Sequence, residues 1–101
     1  MVEEKETAML KKTYKVVSET GIQARLAAQL VNLASEFEAT ISLTVEAKTV
    51  NLKSIMGVMS LAIAKGAVIE IVADGLDEQD ALQKIDQFIQ IDTVEQVVTG
   101  L

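Results

Sequence analysis

Two hydrophobic rhythms take turns along this chain, and their succession limits the architecture more than any single motif does. From Thr40 to Val45, Ile41, Leu43 and Val45 fall on one side and Thr40, Ser42 and Thr44 on the other, the two-residue period of a half-buried strand. Just before it, Leu26, Ala27, Leu30, Val31, Leu33, Ala34 and Phe37 recur at three and four positions. That spacing predicts a helix from about Ala24 to Phe37 with one apolar face. A chain that carries both patterns in turn must lay helices on a sheet.

The other segments fit the same scheme. Lys12 to Ser18 is β-branched and aromatic and ends at the turn-forming Thr20-Gly21, so it reads as a strand. Glu46-Ala47-Lys48 breaks the pattern before a returning strand at Thr49 to Leu52. Ser54 is placed to cap a short helix running toward Lys65, and Gly66 stands where a left-handed residue is expected. The stretch VIEIVA, residues 68 to 73, predicts a fourth strand. Ala81, Leu82, Ile85, Phe88 and Ile89 predict a last helix from about Glu78 to Ile89, with Asp77 as its N-cap. The order βαββαβα predicts an α+β fold, an open-faced two-layer sandwich of four mostly antiparallel strands with three helices on one face. Val94, Val97, Val98 and Leu101 fit a further helical stripe, although β-branched residues are mediocre helix formers. This stripe is expected to pack on the domain or on a second copy.

At 101 residues the chain has room for one core. The opening MVEEKETAML carries acids where a signal peptide has bases and a long apolar run, and no stretch approaches the roughly 18 apolar residues of a membrane span. A soluble cytoplasmic protein without membrane attachment is expected. Fifteen acids against nine bases give a formal charge of −6, which disfavours direct nucleic-acid binding. Cys and His are both absent, which removes thiolate and imidazole chemistry and the commonest metal ligands. No metal site, cofactor or enzymatic activity is expected.

Two short stretches stand out. In TGIQAR, residues 20 to 25, Gly21 turns the chain into a helix whose first amides point outward, and Arg25 adds a positive charge in the first turn. Gln23 to Arg25 can serve as an anion site; equally, Gly21 ends a strand, Gln23 caps a helix and Arg25 is merely solvated. In VNLKSIMGVMSLA, residues 50 to 62, Ser54 holds an N-cap position, and a phosphoryl group there would meet free amides. Ile55, Met56, Val58, Met59, Leu61, Ala62 and Ile63 cover more than half of the helical circumference, too much for a short helix on one sheet. The methionines either fill core gaps or belong to an adaptable contact surface.

Together these two stretches and the strand order resemble the HPr family, the small phosphocarriers of the bacterial sugar phosphotransferase system, over residues 10 to 90. The resemblance divides the chain into a flexible extension at 1 to 9, an HPr-like domain at 10 to 90 and a C-terminal extension at 91 to 101. Family members usually read Thr-Gly-Ile-His-Ala-Arg-Pro in the first motif, and the His is the phosphorylated nucleophile. Here that position is Gln23, whose carboxamide nitrogen is delocalised into its carbonyl and cannot carry a phosphoryl group. Leu26 stands where the family has Pro, removing a preset φ near the helix start.

The resemblance implies that Ser54 is the residue phosphorylated by an ATP-dependent HPr kinase/phosphorylase. The modified protein would then bind a LacI-type catabolite-control repressor through Arg25, Ile55, Met56 and Met59. A Gln at the active position also marks the Crh type within the family, so a non-catalytic regulator is expected, possible as a homodimer. The alternative is a phosphocarrier-derived domain with altered or lost phosphotransfer, in which Glu19, Asp74 or Asp77 would have to form an acyl phosphate.

Overall fold

The computed structural model describes residues 10–90 and 94–97. The extension expected at residues 1 to 9 lies outside the described residues, as do Val98 and Leu101 of the C-terminal stripe. The elements follow as β1 (Leu10–Val16), α1 (Ala24–Ala34), β2 (Thr40–Val45), β3 (Lys48–Asn51), α2 (Ile55–Ser60), β4 (Val68–Asp74), α3 (Glu78–Ile89) and β5 (Val94–Val97). All strand pairs are antiparallel, in the order β3-β2-β4-β1-β5. The α+β sheet-and-helix architecture is the one the sequence predicts, extended by a fifth strand.

Alternation decides which face of the sheet is covered. Tyr14 and Val16 of β1, Ile41, Leu43 and Val45 of β2, and Ile69, Ile71 and Ala73 of β4 are all buried. Register aligns them, with Tyr14 and Val45 both opposite Ile69 and Leu43 opposite Ile71. Against this face lie Ala27, Leu30 and Ala34 of α1, Val58 of α2, and Ala81, Leu82, Ile85 and Ile89 of α3. The recurrent alanines at these contacts let helix backbones approach the sheet closely.

Several boundaries differ from the sequence expectation, each for a local reason. The chain leaves α1 after Ala34, three residues before Phe37: past Ser35 the amides of Glu36 and Phe37 donate only three residues back, to Leu33 at 3.1 Å and Ala34 at 3.2 Å, so the last turn tightens and the α-helical ladder ends. The β2–β3 hairpin is a two-residue turn, with Glu46 at φ 52° and Ala47 at φ 74°. Such a turn matches strand twist but is usually built from Asn and Gly. The second helix ends at Ser60, short of Lys65, because Ala62 turns into the left-handed region at φ 49°. Gly66, at φ 92°, does adopt the left-handed conformation, but it serves the entry to β4, where its N–H donates to the Val16 carbonyl at 2.8 Å.

The tail forms a strand. Val94–Val97 pairs with β1, Val16 opposite Val94 and Thr13 opposite Val97, so β-branching outweighed the helical spacing. Val94 is buried, as the packing expectation required.

Two carboxylates lock helix α3 in place. Asp77 occupies the N-cap position but makes no capping bond; its carboxylate instead accepts the N–H groups of Glu38 at 2.9 Å and Ala39 at 2.8 Å. The Glu38 bond, against some desolvation and helped by Ala39 and the charge of Lys53, holds this carboxyl below its usual range. Asp86 accepts from the Tyr14 hydroxyl at 2.7 Å and the Gln90 amide at 2.8 Å. Burial alone would raise the Asp86 carboxyl, but these bonds and the charge of Lys12 win and hold it low.

The folded carboxylates therefore hold protons less tightly than unfolded ones, whose ordinary value is about 3.9. Their contribution is complete above that value and is lost progressively as pH falls below it through the lowered folded values, because in that window the unfolded chain binds more protons. Melting temperature, followed by circular dichroism, should drop on acidification through about pH 4. Asp77→Asn should melt lower at neutral pH yet lose less on acidification. Equal acid slopes for the two chains would remove Asp77 from this account.

Candidate functional site

The site is organised around the point where α1 begins. Gly21 has φ 67° and presses against the loop that follows α2: a Cβ there would sit 2.3 Å from the Ile63 carbonyl oxygen and 2.8 Å from Ala64 Cα. The next amide, of Ile22, donates to that same Ile63 carbonyl at 3.0 Å. Ile63 can reach it because Ala62 turns left-handed, and its side chain is buried below. Lys65 adds an ion pair to Glu19 across the same junction. The start of α1 is thereby fastened to the exit of α2.

Beyond this junction Gln23 takes the N-cap position of α1 in extended conformation, its carbonyl accepting from Ala27 at 2.9 Å. Its carboxamide makes no capping hydrogen bond and the residue is exposed. Gln23 and Arg25 line an open depression of about 280 Å³ together with Ser18, Thr20, Gly21, Leu26 and Gln29. Helix α1 starts at Ala24 without the family proline, and Leu26 rests partly on the core. Ser18 and Gln29 lie outside the stretch TGIQAR that the sequence marks; Gln29 joins the depression because it is one helical turn beyond Arg25.

Ser54 lies at the other end of α2. It is the N-cap, at φ −113° and ψ 111°, and its Oγ accepts the Gly57 N–H at 3.1 Å, the capping geometry expected from the sequence. Gly57 also keeps space beside that oxygen: a Cβ there would lie 3.3 Å from Ser54 Oγ and 3.3 Å from Val50 Cβ. The helix sorts its apolar residues sharply. Val58 is buried, whereas Met56 is 80% exposed, Met59 43% and Ile55 39%, so the two methionines do not fill gaps in the core. Helix α2 has six residues, about 9 Å of axial length. The Ser54 end and the Gln23 end are thus joined by one short rigid piece but form separate centres, since Ser54 does not line the Gln23 depression.

The acids that could replace a histidine are not at that depression. Asp77 is engaged with two backbone amides, Glu19 pairs with Lys65, and neither they nor Asp74 line it. Among the described residues no group of three or more potential metal ligands occurs, and no helix is long and apolar enough to cross a membrane.

Comparison with known proteins points one way. A family model described as the PTS HPr component phosphorylation site matches residues 10–90. The histidine-containing phosphocarrier protein of Mycoplasma superposes with a TM-score of 0.78 at 40% identity, covering 79% of this chain and 91% of that one. The phosphocarrier protein HPr of Bacillus anthracis gives 0.76 at 44% identity, covering 82% and 99%. Crh of Bacillus subtilis, described as a swapped, intertwined dimer, gives 0.64 at 39% identity, covering 98% and 100%.

The junction yields a differential test. Gly21 and Gly66 both have positive φ, but only Gly21 would drive a Cβ into backbone, since nothing lies within 4 Å of the Gly66 position. Gly66→Ala should cost about 1 to 2 kcal/mol from conformation alone, and Gly21→Ala clearly more, measured by urea denaturation. Equal costs would mean that the loop after α2 yields freely.

Proposed function

The chain belongs to the HPr family, and on that footing we propose that it is a regulatory, non-catalytic member of the Crh type. HPr kinase/phosphorylase transfers the γ-phosphoryl group of ATP to Ser54 Oγ, which loses its proton as ADP leaves. The modified protein then docks on a LacI-type catabolite-control repressor. The observation that carries this reading is the contrast between the two ends of α2. At one end Gln23 offers no nucleophile to the depression beside Arg25. At the other, Ser54 stands as an N-cap beside the exposed Ile55, Met56 and Met59.

Chemistry favours this division of labour. A carboxamide cannot relay a phosphoryl group, but a phosphoserine is read by charge and geometry and needs no activated nucleophile on this chain. A phosphate adds a charge of about −1.5 to −2 next to an apolar patch, and arginines on a partner can clamp it through paired hydrogen bonds. Arg25, exposed in the first turn of α1, supplies an opposite charge for an acidic group on the same partner. The dimeric state described for Bacillus subtilis Crh supports a second copy of this chain as a further partner. A carrier with altered phosphotransfer is the second reading, favoured by the 44% identity to an HPr phosphocarrier.

Two phosphorylation assays read by intact mass separate these functions. With ATP and the HPr kinase the protein should gain one phosphate, and Ser54→Ala none, although that variant should lose only about 1 kcal/mol of stability with its cap. With phosphoenolpyruvate and the general phosphotransferase enzyme, the native chain should gain nothing, whereas Gln23→His should gain a phosphate at least in part. A phosphate on the native chain in this second assay would overturn the regulatory reading in favour of the carrier.

A further inference from the structure

The composition of this chain narrows where an oxidant can act. It contains no Cys, Trp or His, and its one tyrosine, Tyr14, is fully buried with its hydroxyl bonded to Asp86. Oxidisable sulfur is left to four methionines, of which Met1 and Met9 lie outside the described residues. The other two, Met56 and Met59, share helix α2, and both are exposed.

Their surroundings make the fold indifferent to their polarity and the surface sensitive to it. Neither belongs to the buried core or to the residues packed against it, and Val58 is the buried residue of α2. Oxidation turns a flexible apolar thioether into a polar sulfoxide. The sulfoxide oxygen accepts hydrogen bonds but brings neither a donor nor a net charge. In water it stays solvated, whereas a partner that covers the face of α2 has to strip that water away. Met56 is the more exposed of the pair and is therefore the more open to attack.

We propose that Met56, followed more slowly by Met59, is a reversible oxidation site through which hydroperoxides disarm the apolar face of α2. With hydrogen peroxide, the thioether sulfur takes one oxygen as the O–O bond breaks and an S–O bond forms. The departing hydroxide removes the proton from the transferred oxygen and leaves as water. Sulfur is oxidised and peroxide reduced. A sulfoxide reductase supplied with a dithiol reverses the change, the dithiol becoming a disulfide and the oxygen leaving as water. The effect on docking rests on the proposed regulatory reading; the modification and the loss of apolar surface do not.

The test treats the folded chain with hydrogen peroxide and locates added oxygen by fragmentation mass spectrometry. Met56 should gain it ahead of Met59, with little change in melting temperature. Retention on a hydrophobic-interaction column should fall and should recover after treatment with the reductase and dithiothreitol. Met56→Leu/Met59→Leu, compared with itself before and after peroxide, should keep its retention, which separates α2 from Met1 and Met9. In the Ser54-phosphorylated chain, oxidation should weaken repressor binding about tenfold or more, because a buried acceptor is left unpaired. An unoxidised phosphorylated chain that binds no repressor would count against the regulatory reading alone, since the column still decides the oxidation site. Met59 reacting ahead of Met56, unfolding on oxidation, unchanged retention, or unchanged affinity where the unoxidised chain binds would each overturn the proposal.

Discussion

One hydrogen bond, from the Ile22 amide to the Ile63 carbonyl at 3.0 Å, sets how the two informative stretches of this protein relate. It closes only because Gly21 has no Cβ to collide with Ile63 and because Ala62 accepts a left-handed conformation. A left-handed alanine costs roughly 1 to 2 kcal/mol, a strain that the surrounding packing, including buried Ile22 and Ile63, must offset. The consequence is that the start of α1 is held directly against the loop that leaves α2. A surface spread over both can then be recognised as one.

That junction is indifferent to the side chain at position 23. Gln23 contributes its backbone carbonyl to the helix and makes no capping bond through its carboxamide, so the architecture at this position does not depend on which side chain stands there. Ser54 differs, since its oxygen is tied to the Gly57 amide. A group attached to that oxygen alters a polar feature that stands beside exposed Ile55 and Met56. On the proposed reading, the family fold has kept its regulatory face and surrendered its phosphoryl-carrying one.

How much of this was legible in the sequence depended on whether local pattern and tertiary contact agreed. Strand β2 and helix α3 matched their expected bounds because a strict period left one possible buried face. The exposed stripe of α2 was legible too, since too many apolar residues surrounded a short helix. Other features were settled by partners distant in sequence. Asp77 looks like a cap, but the Glu38 and Ala39 amides lie within its reach and take its oxygens. Val94 and Val97 are three apart as in a helix, yet the open edge of β1 offered a ladder. The end of α2 at Ser60 follows from a bond to a residue some 40 positions earlier, which no local signal encodes. The role of Gly57 came closest to being readable: a glycine three places after a capping serine leaves space around that hydroxyl.

The most direct measurement is calorimetric titration of a catabolite-control repressor with the chain phosphorylated at Ser54, the unmodified chain and the Ser54→Ala variant. Charge-assisted hydrogen bonds to the phosphate are worth about 1.5 to 3 kcal/mol. The phosphorylated form should therefore bind about tenfold to a hundredfold more tightly than the other two, which should resemble each other. Equal affinity in all three forms would contradict the account and reduce Ser54 to the cap of a short helix.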